Sequence, residues 1–290
     1  MKLILVAVIV IPVVVISTII IALNLIPPQC SGGPANIITG PTIFNHNCTD
    51  ISKIPAPWID KVQQTVKFHY AHRSHGEQLT IGLDLIESAN ATFSMAIEDF
   101  TLPAEAGALC IMNGQRRYDG SDNDSYVEPE EYWAGNGLTY TRAVLENNAA
   151  INFSMWTWCT ELDYLDESQV QGYLDNMTQL ETDYPNVIFI YMTGNAQADG
   201  EAGYNRFLRN QYIRDYCKNN SKYLFDFEDI DSWYNGQQCT YLYNDVNVPS
   251  EHPHFYNPEG PGHTIYESCQ LKAAVVWWMF SRISGWAGPT

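Results

Sequence analysis

Basic residues are scarce. Lys and Arg total 15 against 33 Asp and Glu in 290 residues, a formal net charge of −18. A surface that acidic repels phosphate backbones, so nucleic acid is excluded as an expected ligand, and so is a basic patch for anionic lipid. CxxC and HExxH pairs are missing, and no internal repeat or low-complexity tract is visible. Hydrophobic residues make up 46% and aromatics 13%, which excludes a disordered or fibrous chain.

Charge is absent altogether from Leu3 to Ile26, a run dominated by Ile, Val, Leu and Ala. As a helix it would reach ~36 Å, enough for a ~30 Å hydrocarbon core. A cleaved signal peptide has a shorter apolar region, of about 7–15 residues, and a small-x-small site. Here the run ends in Asn24-Leu-Ile-Pro-Pro-Gln29. The expectation is an uncleaved N-terminal transmembrane anchor over residues 1–29. Lys2 is the one basic residue before it, which places the N-terminus in the cytoplasm and the rest of the chain at the cell surface. Sequons at Asn47, Asn90, Asn123, Asn152, Asn176 and Asn219 agree with a glycoprotein exterior, as do seven cysteines suited to disulfides. The odd count leaves one thiol over. Cys30, just outside the membrane, is the candidate, either free or bridging two chains in a homo-oligomer.

Residues 30–64 are rich in Pro, Gly, Ser, Thr and Asn and read as a stalk. Beyond it, strand-like runs (65–70, 108–112, 150–156, 187–192, 223–227) alternate with helical periodicity (77–89, 139–147, 167–182, 205–218, 266–283). Alternation of this kind argues one α/β domain over residues 65–290, its mainly parallel sheet covered on both faces. Ligands of such sheets sit at the carboxyl ends of strands. Those ends carry His72-Arg-Ser-His-Gly76, Trp158-Cys-Thr-Glu161 and Thr193-Gly-Asn195.

Ser74, in the first of these turns, is either a nucleophile near helix amides or an ordinary cap. Six histidines cluster as His69, His72, His75 and His252, His254, His263. A zinc site is the sharp reading, but strand alternation sends His69 and His72 to opposite faces, and no metal or other cofactor is expected. Asp119 to Glu130 imitates a calcium loop but has Asp124 where the glycine belongs, so a solvated acidic loop is expected.

Five stretches, taken in order, resemble the SGNH/GDSL hydrolase superfamily. They are Phe68-His-Tyr-Ala-His-Arg-Ser-His-Gly76, Trp156-Thr-Trp-Cys159, Val187-Ile-Phe-Ile-Tyr-Met-Thr-Gly-Asn195, Leu224-Phe-Asp-Phe-Glu-Asp-Ile230 and the terminal segment Trp277–Trp286. The resemblance implies a three-layer α/β/α sandwich on about five parallel strands. It also implies Ser74 as nucleophile, His263 as general base, and Gly137 as an oxyanion-hole amide. Two departures stand out. Trp158-Cys159-Thr160 replaces the block-three asparagine, for which Asn195 is the substitute. Gly260 stands where an acid should precede His263; Glu251-His-Pro-His254 offers an acid and a rival base elsewhere, and Glu259 or a backbone carbonyl remains to orient His263. His75 adjoins Ser74, but a neighbour at a sharp turn projects away from it.

The expected function is a surface-anchored ester hydrolase working through a Ser74–His263 dyad, with a small-molecule or acylated-glycan substrate. The alternative from another class is a non-catalytic surface or glycan-binding protein that keeps the fold.

Overall fold

Apolar runs buried on both faces make the strands of a parallel sheet. The computed structural model describes residues 42–289. Its strands are β1 (Ile43–Phe44), β2 (Lys67–His72), β3 (Met95–Asp99), β4 (Leu109–Asn113), β5 (Phe153–Thr157), β6 (Ile188–Met192) and β7 (Tyr223–Phe225). They lie in the order β1-β7-β6-β5-β2-β4-β3, and every pairing is parallel. The helices are α1 (Ala56–Thr65), α2 (Glu77–Ala89), α3 (Pro129–Tyr132), α4 (Gly137–Asn147), α5 (Glu167–Asp183), α6 (Gly200–Asn219), α7 (Phe227–Ser232) and α8 (Tyr266–Ile283). Two small hairpins, β8 (Trp233–Tyr234) with β9 (Gln237–Gln238) and β10 (Thr240–Tyr243) with β11 (Val246–Pro249), fill the stretch between α7 and α8.

Strand alternation sends successive side chains to opposite faces, and both faces are covered. On one, Phe68 of β2 and Phe153 of β5 meet Phe280 of α8 edge-on, with centroids 5.0 and 4.9 Å apart. On the other, Trp156 of β5 meets Trp133 at 5.9 Å, and Tyr191 of β6 meets Tyr173 of α5 and Tyr216 of α6. The chain leaves β2 for β3 and β4 on one side, then enters β5 on the other. That reversal puts the switch point, where a cleft opens, between β2 and β5.

The α/β class and the parallel sheet are as the sequence indicates, but the strand count is seven rather than five. Both extra strands are edges: β1 has only two residues, and β3 ends in the exposed Glu98-Asp99. The part of the stalk within the described residues is folded. Ile43 and Phe44 pair with Leu224 and Phe225, and α1 buries Ile59 and Val62. The expected anchor and Cys30 lie outside the described residues, among which no helix is long and apolar enough to cross a membrane. The disulfides expected from the cysteine count are not formed among the described residues: Cys48, Cys110, Cys159, Cys217, Cys239 and Cys269 are all free. They sit on separate parts of the fold, five of them buried. Asn47, Asn90, Asn123 and Asn219 are exposed. Asn152 is locked, donating to the Thr65 carbonyl and accepting from the Lys67 amide.

Helices α2 and α8 approach closely at Gly82. A Cβ there would stand 2.0 Å from the Cys269 carbonyl oxygen. Gly82→Ala must push the two helices apart, so it is expected to lower the unfolding free energy by about 1–3 kcal/mol despite alanine's better helix propensity. Urea denaturation followed by circular dichroism checks this; an unchanged midpoint would mean the contact has slack.

Candidate functional site

Four side chains meet at the carboxyl ends of β2, β5 and β6. The turn after β2, Ser74–Gly76, is one turn of 3-10 helix that feeds α2. Gly76 fits there because a Cβ would lie 2.3 Å from the His72 Cβ and 2.9 Å from the Thr157 Cβ. This turn carries Ser74 and His75; Cys159 follows β5, and Gln197 lies beyond β6. Ser74 Oγ is 3.1 Å from Cys159 Sγ, and His75 Nδ1 is 3.2 Å from the same sulfur. The other ring nitrogen, His75 Nε2, is 2.7 Å from Gln197 Oε1.

Gln197 fixes the tautomer. Its Nε2 faces two acceptors, the His263 carbonyl at 2.8 Å and Glu251 Oε1 at 3.4 Å. The amide oxygen must therefore face His75, whose Nε2 must carry a proton to donate to it. In the neutral ring Nδ1 is then a lone pair aimed at the thiol. His75 is 3% exposed, and burial holds its pKa below the usual imidazole range. Cys159 can thus donate its S–H to His75 Nδ1 and accept from the Ser74 hydroxyl. A thiol beside an unprotonated, oriented imidazole is the arrangement that generates a thiolate nucleophile.

Asn195 and Glu161 shape the loop around the thiol. Asn195 Nδ2 donates to the Cys159 carbonyl, and its Oδ1 accepts from the Gln197 amide at 2.9 Å. The Cys159 amide donates to Glu161 Oε2 at 2.6 Å, and Arg73 holds Glu161 Oε1 at 2.5 Å. Behind Gln197 lies a buried charged layer. Asp231 of α7 pairs with Lys272 of α8 at 2.6 Å, Lys272 donates to Ser268 Oγ, and Asp231 Oδ2 accepts from the Ala196 amide. Two cavities adjoin partners of the thiol: one of about 230 Å³ is lined by His72, Ser74, Glu77 and Asp99, the other, of about 510 Å³, by Arg73 and Glu161.

The Ser74–His263 dyad expected from the sequence is not formed. Ser74 Oγ turns to Cys159, whereas His263 Nδ1 lies 3.3 Å from the Pro258 carbonyl. Gly262 and His263 both adopt left-handed backbone, at φ 57° and 71°, a rare conformation for a histidine. That twist lays the His263 ring against the His75 ring, 5.0 Å between centroids, and aims its carbonyl at Gln197. The rival His254 pairs with Glu267 at 2.8 Å and stacks on Tyr234, so Glu251 does not orient it. Gly137 opens α4 as expected, but its amide donates to the Ala134 carbonyl at 2.7 Å and is not free for an oxyanion. Asn195 reaches the site yet has both side-chain atoms engaged. In the loop resembling a calcium site, Asp124 and Glu131 converge instead on Arg117, each at 2.6 Å. No group of three or more metal-ligating side chains forms among the described residues.

Sequence reasoning named Ser74 and placed Cys159 at a strand end, but missed the roles of Cys159, His75 and Gln197. The expected projection of His75 away from Ser74 is not seen: both side chains turn to the same sulfur. That convergence required the β2–β5 register.

No family model matches the chain, and no curated protein sequence matches it. The functional reading rests on the geometry of the residues themselves.

Burial first, and then the neighbouring Asp231 carboxylate, push Glu251 up to about 7. A carboxyl raised in the fold binds its proton more tightly folded than unfolded, so stability is full below its ordinary 4.5 and falls as pH climbs towards 7. Glu251→Gln keeps an acceptor for Gln197 and removes the charge. It is expected to raise the unfolding free energy at pH 8 by about 1–2 kcal/mol, and by nothing at pH 4. Urea titrations at the two pH values check it; equal effects at both would refute the buried charge.

Alkylation tests the thiol directly. His75→Ala removes the proton acceptor, so the rate of Cys159 modification by iodoacetamide at pH 7, read by peptide mass spectrometry, is expected to fall roughly tenfold. An unchanged rate would detach the imidazole from the sulfur.

Proposed function

We propose that the protein is an acyl-transfer hydrolase of SGNH-like layout, a three-layer α/β/α domain acting on esters. Its nucleophile is Cys159 rather than Ser74, and its base is His75 rather than His263. The observation that carries this reading is the 3.2 Å contact of Cys159 Sγ with the nitrogen that Gln197 leaves unprotonated. Of the two nucleophiles, the sulfur is intrinsically the stronger and alone touches a base.

The chemistry follows from the roles. His75 Nδ1 takes the thiol proton as sulfur attacks the ester carbonyl carbon. The carbon–oxygen bond to the alcohol breaks, and the imidazolium returns its proton to the departing alkoxide. Water, deprotonated by the same nitrogen, then cleaves the thioester and restores the thiol. Gln197 stabilises the working tautomer. The Ser74 hydroxyl, 3.1 Å from the sulfur, is placed to donate to the oxyanion that forms beside it. A surface location on an N-terminal anchor, with an acylated carbohydrate as one substrate of this kind, completes the proposal and rests on the sequence reading alone.

The assignment is tested by esterase activity on p-nitrophenyl acetate together with trapping. Cys159→Ala is expected to abolish activity and His75→Ala to cost about 10²–10⁴-fold. Ser74→Ala costs about 10²-fold, as loss of one oxyanion donor does, and His263→Asn, which tolerates the left-handed backbone and removes the imidazole, stays near wild type. Mass spectrometry of a quenched reaction is expected to find the acetyl group on Cys159. Fluorophosphonate labelling of Ser74 with activity surviving in Cys159→Ala would return the serine to its role. Inactivity of the wild-type protein towards a panel of esters and thioesters would favour a non-catalytic surface protein.

A further inference from the structure

The larger cavity, which adjoins the site through Glu161, is unassigned by this mechanism, and its lining has a one-sided charge. It measures about 510 Å³ and lies between the turn after β2, α3 and the start of α5. Glu161 joins it to the site: one carboxylate oxygen holds the Cys159 amide, the other Arg73. Arg73 is the one cation among its lining residues and is already engaged by Glu161 at 2.5 Å and Glu128 at 3.0 Å. Glu130 also lines the cavity, is exposed, and makes no ion pair among the described residues. Three carboxylates against one guanidinium leave an excess of negative charge in a partly enclosed space, where screening is weaker than on open surface.

Two aromatic residues complete the walls. Tyr164 is 67% exposed and presents its ring to whatever enters. Trp133 is only 6% exposed, packed edge-on against Trp156 and Tyr173, and its indole N–H is buried with no hydrogen-bond partner. A buried donor without an acceptor is uncommon and costly. Aromatic faces with nearby carboxylates attract ammonium groups through the ring quadrupole and the charge.

We propose that the cleft formed by Arg73, Glu128, Glu130, Trp133, Glu161 and Tyr164 binds an ammonium group, drawn by the excess of carboxylates and by the exposed Tyr164 ring. For the reaction above, this names the substrate class: esters whose alcohol or acyl part is cationic, such as esters of amino alcohols. Anionic esters are repelled by the same carboxylates. That substrate assignment rests on the Cys159 reading; the binding of the ammonium group does not.

The test separates the two. Full-length Cys159→Ala protein is titrated with choline and with its uncharged isostere 3,3-dimethylbutan-1-ol at pH 8, by calorimetry and tryptophan fluorescence. Choline is expected to bind at least tenfold more tightly, and the preference to shrink towards parity in Glu128→Gln/Glu130→Gln and in 0.5 M salt. Equal affinity for the two ligands, or no binding of either, would overturn the proposal. A choline preference that survives the double glutamine variant would overturn it as well. In the active protein, acetylthiocholine is expected to be hydrolysed with a higher kcat/KM than 3,3-dimethylbutyl thioacetate. Tight choline binding with neither thioester cleaved would leave the cleft in place and refute the thiol mechanism.

Discussion

The parallel pairing of β2 with β5 sets His72 level with Thr157, so the two strands leave the sheet side by side. Everything at the site hangs on that register. Ser74 and Cys159 each lie two residues past the last pair, and a slip of two residues would carry the sulfur some 6–7 Å from the imidazole. Tyr70 pins the register from within the sheet: its hydroxyl donates to the Gly76 carbonyl at 2.7 Å and meets Thr157 Oγ1 at 2.8 Å. One buried phenol thereby ties the turn that bears His75 to the strand that bears Cys159. The lack of room for a Cβ at Gly76 belongs to the same contact.

A second constraint comes from buried charge. Asp231 and Lys272 are both almost fully buried, as are Asp226 and Glu228, which clamp Arg214 at 2.6 to 2.8 Å. Ion pairs in such places return little net stability, because desolvating the charges offsets their attraction. What they supply is geometry. Asp231 holds the Ala196 amide, so the segment that carries Asn195 and Gln197 cannot drift. Gln197 in turn needs Glu251 and the His263 carbonyl to keep its oxygen towards His75. The strained backbone at His263 fits this account: the left-handed residue turns its carbonyl, not its ring, to the working part of the site.

The central strands and long helices were legible because their apolar periodicity is strong. Glu77–Ala89 and Tyr266–Ile283 appear with the boundaries that their patterns indicate. The edges were not. Ile43-Phe44 is too short to show a period inside a stretch rich in Pro and Asn, and Met95–Asp99 mixes half-buried with exposed positions. At the site, position in the strand order was readable and direction was not. Ser74 was visible as a residue of the first turn, yet its partner is set by a sulfur 85 positions away. His263 looked suitable because it precedes the last helix; only its backbone conformation shows that its ring stands beside His75 and does not reach Ser74. That the six described cysteines form no disulfide has a related reason, since a cysteine count carries no information on where the chain brings the sulfurs.

The acidity of the chain bears on why a thiol here needs its histidine so close. Both cavities that reach the site carry carboxylates, Glu77 and Asp99 in one, Glu128 and Glu130 in the other. Cys159 itself is only 9% exposed. In the proposed mechanism the proton passes from Sγ to His75 Nδ1 across a 3.2 Å heavy-atom contact, which gives a pair with no net charge, on which the surrounding field acts only as on a dipole. Under the proposed mechanism the same carboxylates would draw a cationic ester towards the cleft that adjoins the site.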